Sequence, residues 1–171
     1  RPATTTATPS PASTTTPEAR PRPARFRLAA SPAPGPSASG LSSRVMKPQN
    51  PSALHILAFV YLTFSHVTDG ELSHQEIDTI ARVLHGWLPD ASNDAISRVI
   101  VESASWVNGL ASDEERLAQA ETYAHLMKEQ MSEKQRSAVL VNLIELARAD
   151  GKITAREESF IANLTHILGL R

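Results

Sequence analysis

The chain contains no cysteine, which excludes disulfide frameworks, thiolate metal sites, cysteine nucleophiles and redox-sensing thiols. That absence fits a reducing compartment, and the expected location is cytoplasmic. No stretch approaches the roughly 18 apolar residues needed to cross a bilayer, so no transmembrane segment is expected. The longest apolar run, Ala53 to Phe64, is interrupted by His55 and Thr63 and reads as a buried helix. A secretory apolar core, a glycine-rich phosphate loop, a nucleophile elbow and a credible strand are all lacking as well.

Charge is nearly balanced over the 171 residues, at a formal −1, but it is unevenly placed. Arg1 to Val45 holds six arginines against the single Glu18, a net of +5, which leaves −6 on the remainder. An acidic region without a basic helix is a poor match for nucleic acid, because phosphate neutralisation supplies most of that affinity. Small cations and basic partners suit it better.

Up to Gly40 the sequence is almost entirely Arg, Pro, Ala, Ser and Thr and holds nine of the twelve prolines. Such a composition buries too little apolar surface to offset ordering entropy, so residues 1–45 are expected to be a disordered tail. Three readings compete for it: a flexible tether, an Arg-rich targeting segment, or translated sequence upstream of a start at Met46, the first methionine. The third is favoured, because biased composition gives way to globular patterning after Met46. The arginines would allow peripheral association with an anionic membrane, but at modest charge density, and no function is assigned to them. Residues 46–171 are long enough to bury one core without a disulfide or structural metal.

Caps and periodicity divide that domain into helices. Asn50 before Pro51 signals the start of a first helix running to about Val67. Ser73 with Glu76 forms a capping box and opens a second helix, with Leu72, Ile77, Ile80, Ala81 and Leu84 on one face. Pro89 and Asp90 open a third, which Asn108 and Gly109 stop. Ser112 with Glu115, Ser132 with Gln135, and Thr154 with Glu157 are further boxes that launch helices four, five and six, the last ending at Gly169. Helix five, through Val139, Leu140, Leu143, Ile144 and Ala147, is nearly as apolar as helix one.

An offset of 81 residues aligns the two ends of the domain. Phe59, Val60 and Leu62 fall on Leu140, Val141 and Leu143; Asp69, Gly70, Leu72, Ser73, Glu76, Ile80 and Ala81 fall on Asp150, Gly151, Ile153, Thr154, Glu157, Ile161 and Ala162. So many matches in one register argue for duplication of a unit made of helix, Asp-Gly turn and helix. This paired pattern of helix, Asp-Gly turn, small aliphatic, Ser or Thr, and Glu resembles the tellurite-resistance protein B (TerB) family, whose fold also occurs in the N-terminal domain of DjlA-type co-chaperones. The resemblance covers about Ser52 to Leu170. It implies an all-α, compact bundle of six to seven helices with an internal two-fold repeat, in which the two apolar helices lie centrally and the paired turns approach one another. It also implies a divalent cation held at Asp69, Glu76, Asp150 and Glu157. The membrane anchor and J domain of DjlA-type proteins have no counterpart in this sequence, so the likeness carries no chaperone role. Glu71 facing Lys152 makes the two turns electrostatically unequal.

Read residue by residue, Asp69 to Glu76 reproduces the second half of an EF-hand loop, but the chelating carboxylates of the first half are replaced by Ser65 and Val67, and in the second copy by Leu146 and Arg148. Neither turn is an autonomous calcium loop. Brought together, the four carboxylates would offer hard oxygen ligands to one Ca²⁺ or Mg²⁺, and His66 would tilt the preference towards Zn²⁺. Ala147 stands at the place matching His66. The competing reading treats the same residues as folding devices: Asp in an Asx-turn, Gly supplying positive φ, and Glu reciprocating a cap worth about 0.5 to 2 kcal/mol.

His55, His74, His85, His125 and His166 show no ligand spacing, Trp87 and Trp106 read as packing anchors, and Asp113 to Glu115 suits a solvated first helical turn. The expected function is therefore a non-catalytic TerB-like module, related to stress response, that binds a divalent cation, a partner protein or both through the paired acidic turns. A metal-free protein-interaction adaptor is the alternative. An enzyme built on the carboxylate cluster comes third, since four carboxylates without base, nucleophile or pocket define no mechanism.

Overall fold

The computed structural model describes residues 47–69, 72–149 and 153–170; the side chains of Thr68 and Asp69 fall outside what is described. The tail expected over residues 1–45 lies outside the described residues, as do Asp150 and the glycines of both Asp-Gly turns. Six helices account for most of the rest: α1 Ala53–Asp69, α2 His74–Trp87, α3 Asn93–Asn108, α4 Asp113–Gln130, α5 Glu133–Ala147 and α6 Ala155–Ile167. No strand occurs among the described residues.

Five of these helices begin on a Ser or Thr whose hydroxyl accepts the backbone N–H three residues on. Ser73/Glu76, Ser132/Gln135 and Thr154/Glu157 are reciprocal capping boxes, as their spacing predicts. Ser112 and Glu115 make a shifted version, in which the Glu115 carboxylate accepts from the N–H of Ala111 at 2.9 Å. Two starts differ from expectation. Helix α1 begins two residues after Pro51, because Ser52 caps it and the ring of His55 stands in for the glutamate: its Nδ1 lies 3.1 Å from the Ser52 backbone nitrogen. Helix α3 begins after Ser92 rather than at Asp90, since the Ser92 hydroxyl reaches the N–H of Ala95. At the other end of the domain, α6 closes in a Schellman motif: Gly169, at φ +67°, donates to the His166 carbonyl and Leu170 donates to that of Thr165.

Helix α1 is the axis of the bundle. Ten consecutive residues, Ile56 to Ser65, are buried on every side, which requires neighbours all round. Helices α2, α3, α4, α5 and α6 supply them. Phe59 meets Trp106 of α3 at 4.5 Å and Tyr123 of α4 at 5.5 Å between ring centroids, so one aromatic cluster ties three helices. Arg116 joins the end of α3 to the start of α4 by donating to the carbonyls of Val107 and Leu110 and pairing with Asp113.

Helix α5 is less central than the resemblance implies. It buries one face only, through Val139, Leu143, Leu146 and Ala147, while Leu140 and Ile144 are half-buried and Val141 is 60 % exposed. A similar difference appears in α2, where Ile77 points outward and Glu76 takes a place on the buried face beside Thr79, Ile80 and Val83.

The repeat survives in three dimensions. Shifted by 81 residues, the start of α2 falls on the start of α6, and α1 falls on α5. Helix α1 packs against α6 as α2 packs against α5, and α1 and α5 pack on each other. Where those two helices cross, Asn142 donates to the hydroxyl of Tyr61 at 3.0 Å; the two residues are 81 apart, so each touches its own repeat equivalent. A pseudo-two-fold axis passes close to that contact.

Candidate functional site

The end of α1, which precedes the first Asp-Gly turn, and the start of α6, which follows the second, lie together. Phe64, near the end of α1, stacks edge-on against Phe160, near the start of α6, at 5.3 Å. Val67 in the last turn of α1 lines the same cavity as Ala155, Arg156 and Ser159 in the first turns of α6. The cavity measures about 580 Å³, and α4 contributes Asp113, Leu117 and Glu121 to it. Asn163 of α6 donates to Glu121 of α4 at 2.7 Å on its wall.

Glu76 and Glu157 are the two carboxylates the structure places most firmly. Each sits at the third position of its helix with its side chain 3 % and 4 % exposed respectively. One oxygen of Glu76 accepts the backbone N–H of Ser73 at 2.8 Å, and one of Glu157 accepts that of Thr154 at 2.6 Å. The helix N-termini favour negative charge there. Among the described residues no Lys, Arg or His pairs with either, although a buried carboxylate without a counter-charge is costly. These two positions thus combine a folding role, visible in the cap hydrogen bonds, with a charge that a bound cation would neutralise. The donor chemistry suits a hard divalent ion, since carboxylate oxygens are what Ca²⁺ and Mg²⁺ take.

The rest of the expected ligand set is placed less completely. His66 is half-buried in the last turn of α1, on the approach to the first Asp-Gly turn. The side chain of Asp69 and all of Asp150 lie outside the described residues. The described residues by themselves contain no group of three or more His, Asp or Glu able to hold a metal ion, so a cation site at this end needs ligands from outside them, where both aspartate carboxylates lie.

The cavity between α1, α4 and α6 is the feature that sequence reading does not show. Its only sequence trace is Leu117, which has the spacing of a core residue on α4 yet is only half-buried because it faces the opening.

A duplicated unit of capped helices, with a buried glutamate after each acidic turn, defines an all-helical two-repeat domain. The chain belongs to the TerB family: the family model for tellurite resistance protein TerB matches residues 57–171. That span takes in most of α1 and everything after it, so both repeats belong to the family domain. No curated protein and no solved structure matches the chain. No helix among the described residues is long and apolar enough to cross a membrane.

Proposed function

We propose that this chain is a non-catalytic module of the tellurite-resistance type, acting in the cytoplasmic stress response, that binds one divalent cation between its two acidic turns. Asp69, Glu76, Asp150 and Glu157 are the proposed ligands, with Ca²⁺ or Mg²⁺ the preferred ions and His66 the group that would admit Zn²⁺. The observation that carries this reading is the pair of buried, repeat-related glutamates, neither of which makes a salt bridge to a Lys, Arg or His among the described residues. The closeness of the end of α1 to the start of α6 supports a shared site, since it brings Val67, just before the first turn, and Ala155, just after the second, to the same cavity.

Thermal unfolding of chelator-stripped protein, with and without Ca²⁺, Mg²⁺, Mn²⁺ and Zn²⁺, tests the proposal. A specific ion at about 100 times its dissociation constant stabilises by about 2.7 kcal/mol. Replacing both Glu76 and Glu157 by Gln is the informative control, because glutamine keeps the cap acceptor and removes only the charge. Loss of the ion-dependent shift in that variant, with folding intact, supports a composite cation site. Absence of a shift with every ion sinks it. The reading then passes to a metal-free adaptor, which the cavity between α1, α4 and α6 favours as a place for a partner protein's side chains.

A further inference from the structure

The internal repeat presents the same helix pair twice, once with its outer apolar face fully buried and once with that face partly open. In the first copy, Phe59, Val60 and Thr63 of α1 are fully buried. Helix α3 lies over that face, with Trp106 against Phe59 and the Ser103 hydroxyl donating to the His55 carbonyl at 3.3 Å. The equivalents in the second copy are Leu140, Val141 and Ile144 of α5, of which Leu140 and Ile144 are half-buried and Val141 is exposed. They line an open groove of about 490 Å³ with Thr165 and Leu170 of α6. Val60 has no exposure at all; Val141 at the matching place is 60 % exposed. Duplication has kept the apolar stripe but not its full burial.

The ends of this stripe carry opposite charge. Glu133, in the first turn of α5, lines one end of the groove. Arg148, the C-cap residue at φ −90° and still helical in conformation, follows Ile144 by four residues at the other end of α5 and is exposed. Glu133, Ser137, Val141, Ile144 and Arg148 recur at the spacing of one helical face. Read forwards and backwards, the stripe is complementary to itself in charge: laid antiparallel on a copy of itself, it sets Glu133 against Arg148 at both ends, with Ser137 facing Ile144 and Leu140 facing Val141 between them. Such self-complementarity is the requirement for a two-fold interface between identical chains.

We infer that the α5 face mediates a homodimer, in which α5 of a second copy packs antiparallel across Leu140, Val141 and Ile144 where α3 covers the first repeat, with two Glu133–Arg148 ion pairs fixing its direction. This surface is separate from the acidic turns, and nothing in its formation depends on a bound ion.

Sedimentation equilibrium or light scattering of the full chain, over about 1 to 300 µM, reads the association directly. The wild type is expected to dimerise. Val141→Glu is expected to remain monomeric at all of these concentrations, and because Val141 is already exposed its circular dichroism is expected to match wild type. Glu133→Arg and Arg148→Glu each place like charges together and are expected to weaken the dimer at least about tenfold. The double variant Glu133→Arg, Arg148→Glu restores both pairs and is expected to recover to within about threefold of wild type. A wild type that stays monomeric overturns the proposal and leaves the groove to residues 1–46 or to another protein's helix. A dimer indifferent to Val141→Glu, or one that the double variant fails to rescue, overturns it as well.

Discussion

Two buried tyrosines differ in one respect that makes the same substitution act in opposite directions. Tyr61 is fully enclosed, and its hydroxyl accepts from Asn142 at 3.0 Å and meets the Trp87 side chain. Tyr123 is 6 % exposed, and its hydroxyl has no hydrogen-bond partner among the described residues. Replacing Tyr61 by Phe removes a satisfied hydrogen bond and strands the Asn142 amide, which costs about 1 kcal/mol. Replacing Tyr123 by Phe removes a buried oxygen to which no described residue hydrogen-bonds, while keeping the ring contacts with Phe59 and Trp106; the expected change is a stabilisation of about 1 kcal/mol. The two variants should therefore differ by about 2 kcal/mol, or roughly 8 °C in melting temperature for a domain of this size. The assay is thermal and urea unfolding of both variants beside wild type, followed by circular dichroism. Alkaline pH adds an independent check. Burial pushes the Tyr123 phenol up to about 12. Its folded form therefore holds its proton where the unfolded chain has begun to lose it, and the resulting stability is complete below pH 10 and lost as pH rises towards 12. The advantage of Tyr123→Phe over wild type should widen across that window. If both variants destabilise equally, or the advantage of Tyr123→Phe is flat above pH 10, the argument from hydrogen-bond satisfaction is wrong.

Two further tests follow from the helix ends. Thr154→Ala should destabilise by about 1 kcal/mol in urea unfolding, because it breaks a reciprocal cap and leaves buried Glu157 with one contact fewer. Gly169→Ala should cost about 1 kcal/mol by the same measure, since φ is +67° and a Cβ there would stand 3.3 Å from Cε of Lys128.

What the sequence disclosed was local. Capping boxes need only a hydroxyl and a carboxylate or amide three residues apart, so Ser73/Glu76, Ser132/Gln135 and Thr154/Glu157 were legible without knowledge of the fold. The misplaced start of α1 has a local cause too: a histidine can fill the glutamate's role in a box, and the Asn-Pro signal drew attention two residues early. The burial pattern was harder. Val60 and Val141 are the same residue in the same register of the same repeat, and nothing in either segment says that one is fully buried and the other exposed. Likewise the apolar period of α2 suggests Ile77 for the core, whereas the packing turns Glu76 inward, a choice made by the neighbours rather than by the helix. At the candidate site, the acidic positions stood out through the repeat, but the cavity formed by α1, α4 and α6 depends on contacts between segments far apart in sequence.

The hydrogen bond between Asn142 and Tyr61 has a consequence for how such a domain can change over time. Two separate identical chains associating about a true dyad must place the same side chain on both sides of it, so a residue at the axis is tolerated only if it can face itself. Once the two units are joined in one chain, that restriction lifts at the axis before it lifts anywhere else. One side can become a phenol and the other an amide, a pair in which the amide N–H donates to the phenol oxygen. The centre of the fold, usually the place least free to vary, is here the place where covalent linkage opened a combination that symmetry forbids.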